Sequence, residues 1–329
     1  VGTAEAVARL KRIATRATLP SMSGDVGDIR RDTGPRLLRF GLLVAFLLAA
    51  PAARADVEPS FQNVSLGGVI TAGFGTSSAG YDLMGEVGGE YVGIRSFALR
   101  AWLVQWDALL AGRAGILANE HPFMALAGAH ERGNVEAGSR VLPHEAWSPY
   151  WGFGLDTDLQ VLTAPGVPIG NLDRYNNVDG VGGVTANGAI RVAVGASWLT
   201  SSHSVLLEVF FQEALRAPEV DAGGISFSEG GLSARWDIFQ SFTLHVAAFA
   251  GRSPALHNTA LNYTEQTVHA ELDGDLRKTF RNGMWLGAEL NLFQESHTLA
   301  YVAGHTYGAA DPLFLAATLV FGIPLGRQE

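Results

Sequence analysis

Between His269 and Asp275 every second residue is ionisable: His269, Glu271, Asp273 and Asp275. The spacing recurs at Asp156 and Asp158 and at Arg235 and Asp237, while Arg191, Glu208, His245 and Glu289 stand singly in similar surroundings. In an extended chain, residues two apart share a face. A carboxylate and an imidazole on one surface could do acid–base work. Mixed-sign charges around a water-filled channel set ion selectivity, and an acid excess favours cations. The same groups can instead pair with one another and satisfy a polar interior.

Established catalytic spacings are missing. There is no G-x-S-x-G nucleophile elbow. His130-Glu131 and His144-Glu145 lack the second His of a zinc site. No glycine-rich phosphate loop ends in Lys-Ser or Lys-Thr. No His is followed by Ser two residues on, and the adjacent pair His203-Ser204 would point to opposite faces of a strand. The stretch Asn171 to Asp179 offers Asn171, Asp173, Asn176, Asn177 and Asp179 as oxygen ligands suited to Ca²⁺. It lacks the EF-hand spacing, and Asn and Asp are good turn formers. No catalytic residue, metal ligand or cofactor is therefore assigned.

The elements that carry these residues read as strands. From Tyr150 to Val161 one face is Trp151, Phe153, Leu155, Thr157, Leu159 and Val161, and the other carries the two aspartates. Ala186–Trp198, Gly231–Ile238, Val268–Leu276 and Met284–Leu292 repeat this alternation. Weaker candidates are Val64–Phe74, Met84–Arg95, Phe97–Leu109, Val205–Phe211, Phe242–Phe249 and Leu313–Ile323. Many run about 10 residues, against about 5–6 for ordinary strands, and a tilted strand needs roughly 9–11 to cross a bilayer. Trp151, Trp198, Trp236, Tyr263 and Trp285 sit near strand ends, where a ring can be half in lipid and half in water. Thr163–Gly183, Arg216–Gly224, Arg252–Asn262 and His297–Pro312 read as connections, expected to be short on the periplasmic side and longer outside.

The run RFGLLVAFLLAAPAARA, from Arg39 to Ala55, has an apolar middle of about 11 residues, too short for the roughly 20 that span a membrane as a helix. Arginines precede it and Ala53-Arg54-Ala55 closes it, which predicts a secretory signal cut after Ala55. A translation start at Met22 would give that signal a plausible size. Residues 1–55 are read as extension and signal, and 56–329 as a single domain. From 56 onward there are 14 Lys and Arg against 28 Asp and Glu, and no Cys. An acidic chain without clustered cations makes nucleic acid an improbable partner.

The signal Phe40–Ala55, the alternating strands and the final stretch Leu313-Phe314-Leu315-Ala316-Ala317-Thr318-Leu319-Val320-Phe321 together resemble bacterial outer-membrane β-barrel proteins in general. The resemblance covers residues 40–323 and singles out no narrower family. Those proteins usually end on an aromatic residue, whereas here Gly-Ile-Pro-Leu-Gly-Arg-Gln-Glu follows Phe321. The expected fold is all-β: a closed antiparallel transmembrane barrel of about 12 strands, with 10 or 14 as alternatives. Apolar faces would meet lipid. Asp156, Asp158, Arg191, Glu208, Arg235, Asp237, His245, His269, Glu271 and Glu289, with Asp273 and Asp275, would then line the lumen. The expected role is small-solute passage or a structural one, in a monomer whose partners are outer-membrane lipid and small solutes or ions. An outer-membrane lipid-modifying enzyme and a soluble lipocalin-like binding barrel are the alternatives.

Overall fold

A computed structural model describes residues 61–77, 80–118, 124–163, 183–217, 225–258, 263–301, 306–310 and 313–325. The expected signal segment and the Asn171–Asp179 loop lie outside the described residues. The strands are β1 (Phe61–Ser77), β2 (Gly80–Phe97), β3 (Trp102–Ala118), β4 (Met124–Arg140), β5 (Trp147–Thr163), β6 (Gly183–Leu199), β7 (His203–Ala217), β8 (Ile225–Ile238), β9 (Phe242–Arg252), β10 (Leu256–Asn258), β11 (Tyr263–Thr279), β12 (Trp285–Tyr301), β13 (Thr306–Ala310) and β14 (Phe314–Pro324). Each pairs antiparallel with its neighbours, and β14 pairs with β1, so the sheet closes. Segment β10 prolongs β9 along β11, and β13 prolongs β14 along β12, each after a one-residue bulge. The described residues therefore make twelve staves. The stretch His297–Pro312, expected as a loop, is largely strand, because β12 runs on to Tyr301 and β13 pairs with it.

The pairing fixes the barrel's size. Starting at Phe61, the paired residues run through Ser96, Leu103, Gly138, Gly152, Ala193, Phe210, Gly231, Phe249, Glu271, Phe293 and Phe314. Extending the β1–β14 register two residues beyond Gly75↔Ala316 returns to position 77, and 77 − 61 is a stagger of 16 residues. With strand spacing of about 4.8 Å and rise of about 3.3 Å per residue, twelve strands at this stagger tilt by about 43° and enclose a backbone radius of about 12 Å. A 17-residue strand such as β5 then rises about 40 Å along the axis, more than a hydrocarbon core of about 30 Å.

Alternation sorts the side chains as the sequence implies. On β6, Ile190, Val192 and Val194 are exposed outside while Arg191, Ala193 and Ser197 are buried inside. On β7, Leu207, Val209 and Phe211 face out, and Leu206, Glu208, Phe210 and Gln212 face in. Charge lies within and apolar surface without, the inverse of a soluble binding barrel. The turns β2–β3, β4–β5, β6–β7, β8–β9 and β11–β12 gather at one end with Phe61 and Leu325, called here the near end.

An aromatic belt follows the outside of the near end from β2 to β9. Phe97 stacks with Trp102, which meets Trp151 edge-on. Trp147, Trp198, His203, Trp236 and Phe242 follow in continuous ring contact. Of the expected interfacial aromatics, Trp151, Trp198 and Trp236 stand in this belt. The side chain of Tyr263 lies outside the described residues. Trp285 does not belong to the belt: it is 0% exposed, on the inner face of β12. Glycines cause this, since a Cβ at Gly322 or Gly67 would lie 1.8 or 2.0 Å from its ring. Two bare positions on β14 and β1 make an internal slot for the indole.

Candidate functional site

The inner face is the place where chemistry could occur, and at the near end it carries an apolar cluster. Phe61, Ile94, Leu103, Tyr150, Leu199 and Leu206 form one buried cluster. Its members come from β1, β2, β3, β5, β6 and β7, so it reaches from one wall to the opposite one. Arg140, buried at the end of β4, ties the turns beneath it. Its guanidinium donates to Ser197 Oγ at 2.8 Å, Glu145 O at 2.7 Å, Ala146 O at 2.9 Å, Pro143 O at 3.1 Å and Arg100 O at 3.3 Å. Arg100 in turn donates to the carbonyl of Leu199. The chain around it, Ala98-Leu99-Arg100, holds φ values of 50°, 58° and 66°, each costing about 1–2 kcal/mol for a non-glycine residue. These bonds hold the turn in that shape.

Above the apolar cluster, charges span the lumen at mid-height. Arg132 on β4 grips Glu289 on β12 with both terminal nitrogens, at 3.4 and 3.3 Å. It also donates to Asp107 Oδ2 at 3.1 Å and lies 3.9 Å from Glu90 Oε1. Glu90 accepts from Arg277, which donates to Ser65 Oγ at 2.8 Å and lies 5.2 Å from the Trp285 ring centre. On the far wall, Arg191 donates to Glu208 at 3.2 Å and Ser233 at 2.7 Å, stands 3.7 Å from Glu136, and covers Phe210 at 3.8 Å. Tyr150 donates to Glu136 at 3.1 Å. A third knot joins Arg235 to Asp237 at 2.8 Å, with Thr243 and Asn63 donating to the same carboxylate at 2.8 and 3.3 Å. The Asn63–Asp237 bond links β1 to β8 and also crosses the lumen. A cavity of about 10 Å³ remains among Asn63, Ser65, Arg235, Thr243 and Arg277, room for about one water.

The remaining inner groups form smaller sets, those of His130 and His269 lying toward the other end. His130 bridges Glu86 at 2.9 Å and Asp158 at 3.4 Å; Arg113 backs Glu86 at 3.2 Å, and Gln160 donates to Asp158 at 3.2 Å. His269 meets Glu229 at 3.1 Å within a ring of Phe227, Phe249 and Phe293. Asn291 donates to Glu271 and Asp273, both at 2.5 Å. Asn134 donates to Asp156. His245 stands across from Arg235 on β8 and Asp275 on β11.

All ten expected lumen residues thus lie on the inner face, but they fall into separate knots instead of one constellation. Several hub residues are missing from the expected set: Glu86, Glu90, Asp107, His130, Arg132, Glu136 and Arg277. Period two within Met84–Arg95 does mark Glu86 and Glu90. Strand β4 gave no signal, because Gly128, Gly133 and Gly138 dilute its alternation.

No family model matches the chain, and no curated protein does. Solved structures of similar form include the translocator domain of the autotransporter NalP from Neisseria meningitidis, with 10% identity over 88% of this chain and 96% of that one at a TM-score of 0.30. The transport unit of the autotransporter AIDA-I from Escherichia coli shares 11% identity over 89% of this chain and 98% of that one, at 0.34. OmpT, an outer membrane protein of Vibrio cholerae, shares 8% over 80% of this chain and 100% of that one, at 0.32. Likenesses this loose carry no inference about activity, and the barrel rests on its own strand pairing.

Proposed function

We propose that this chain is an integral outer-membrane β-barrel with a sealed lumen, serving a structural role and not as a standing passage for solutes. The carrying observation is Arg132, which bonds Glu289 on the opposite wall while contacting Asp107 and Glu90. The near-end apolar cluster supports the same reading. Outward apolar faces and the aromatic belt favour a lipid surround, because closed barrels are the β-structures that satisfy every backbone group in a bilayer.

Small-solute passage is the second reading. Arg132, Asp107, Glu289 and Asp158 retain 29%, 27%, 30% and 30% of their side-chain surface, so water reaches part of the mid-lumen. The lipid-modifying enzyme finds less support. His130 meets two carboxylates inside the lumen, and His203 stacks between Trp198 and Trp236 outside while Ser204 is buried inside. Osmotic swelling of proteoliposomes tests the reading. Vesicles carrying the folded protein should swell in arabinose no faster than empty ones; swelling in proportion to protein content would favour the passage.

A further inference from the structure

The outer wall formed by β9, β11, β12 and β14 carries an apolar notch of about 400 Å³. Leu244, Leu276, Leu290 and Leu319 border it, over Gly274 and Ala288. A Cβ built on Gly274 would meet nothing within 4 Å, so the space before it is open. Four residues along the same face of β11, about 13 Å toward the near end, stands Lys278. It is the one lysine of residues 56–329. Lys278 is exposed and faces Phe242 and Leu286 across the neighbouring strands. Arg281, in the turn just beyond, is exposed too, beside exposed Phe280. Outward carboxylates are placed otherwise: Glu131 and Glu213 lie past mid-strand toward the other end, where Thr157 and Ser228 donate to them. The near-end edge of the notch, at Leu244 and Leu276, thus lies two residues from Phe242 and Lys278, where the outer wall is aromatic and cationic.

We infer that this wall binds one anionic phospholipid, its phosphate against Lys278 and Arg281 and one acyl chain laid in the Gly274 notch, in the leaflet at the near end, whose short turns such as 200–202 and 239–241 match the expected periplasmic side. The inference rests on the membrane reading above. An ammonium on a flexible stem reaches back to the headgroup level while its methylenes stay in lipid, and cations there attract anionic headgroups. The notch is apolar, crosses β9, β11, β12 and β14 at one register, and is of about the bulk of one fatty acyl chain. A phosphate alone would gain nothing from it.

The test uses the protein extracted from its membrane and exchanged into mild detergent with equal phosphatidylglycerol and phosphatidylcholine. Retained lipid is counted by native mass spectrometry, and folding is checked by heat-modifiable mobility on gels. The expected result is one phosphatidylglycerol per barrel, preferred about tenfold. Lys278→Gln with Arg281→Gln should abolish the preference and leave equal weak retention of both lipids. Gly274→Phe should reduce retention of both. Equal retention by the unaltered barrel, an unchanged preference in the double variant, or release by soluble glycerol phosphate would each overturn the inference. A barrel that inserts into vesicles but shows no preference sinks this inference alone; a folded protein that stays out of vesicles sinks the membrane reading beneath it.

Discussion

Replacing Arg132 by Met removes the cation that spans the lumen while keeping most of its apolar stem. Three carboxylates are affected. Glu90 is buried but keeps Arg277 as partner. Asp107 and Glu289 lose their ion pair to Arg132. Breaking a fully buried pair costs about 3–5 kcal/mol, and an exposed one less than about 1 kcal/mol. With 27% and 30% of side-chain surface retained by Asp107 and Glu289, the cost lies between these limits. About 2–3 kcal/mol of barrel stability should therefore be lost. Glu289→Gln in the same chain removes one of the stranded charges, and about 1 kcal/mol should return. Equilibrium urea unfolding in vesicles, followed by Trp fluorescence, measures both. If Arg132→Met unfolds within about 0.5 kcal/mol of the unaltered protein, a range typical of surface changes, the transluminal pairing is not holding the barrel.

Other perturbations probe the remaining parts. Val192→Arg places a charge on the lipid face of β6 and should cost about 2–4 kcal/mol if that position meets the bilayer midplane; a neutral result in vesicle unfolding would argue against lipid there. Gly322→Ala drives a methyl into the Trp285 ring and should cost about 1–3 kcal/mol, and much less when made in a Trp285→Ala background; unfolding curves of both single variants and the double decide it. Arg140→Met removes a donor from five near-end acceptors, of which Ala146 O keeps the Leu199 N–H, and amide exchange in the 98–101 and 141–146 turns should quicken at least tenfold, the equivalent of about 1.4 kcal/mol. Unchanged protection there would mean the turns hold without it.

Much of the barrel was legible because a strand's two faces meet different solvents. The apolar alternations of Ile190 to Val194 and Leu286 to Leu290 mark the outside directly, and the closing strand falls where Leu313–Ile323 was expected. Strand β4 was not legible, since glycine carries no polarity, and with it went Arg132, His130 and Glu136. Position near a strand end does not say whether an aromatic serves the belt or the interior. Trp285 alternates with Leu286, which places it inside; its slot depends on Gly67 and Gly322, more than 30 residues away in one direction and more than 200 in the other. Transluminal partners were out of reach for a similar reason. Asn63 meets Asp237 across 174 residues, and only the 16-residue stagger brings them to one height. Trp147 and His203 join the belt through cross-strand neighbours, a relation that register sets.

The central claim is a closed membrane barrel whose lumen is filled. Single-channel recording of the folded protein in a planar bilayer, under a salt gradient, tests it most directly. A filled barrel inserts, as verified by protease protection of the strands, and gives no discrete current steps. Stable steps with a cation-selective reversal potential would contradict it, and would make Asp107, Asp158 and Glu289 the lining of an open path.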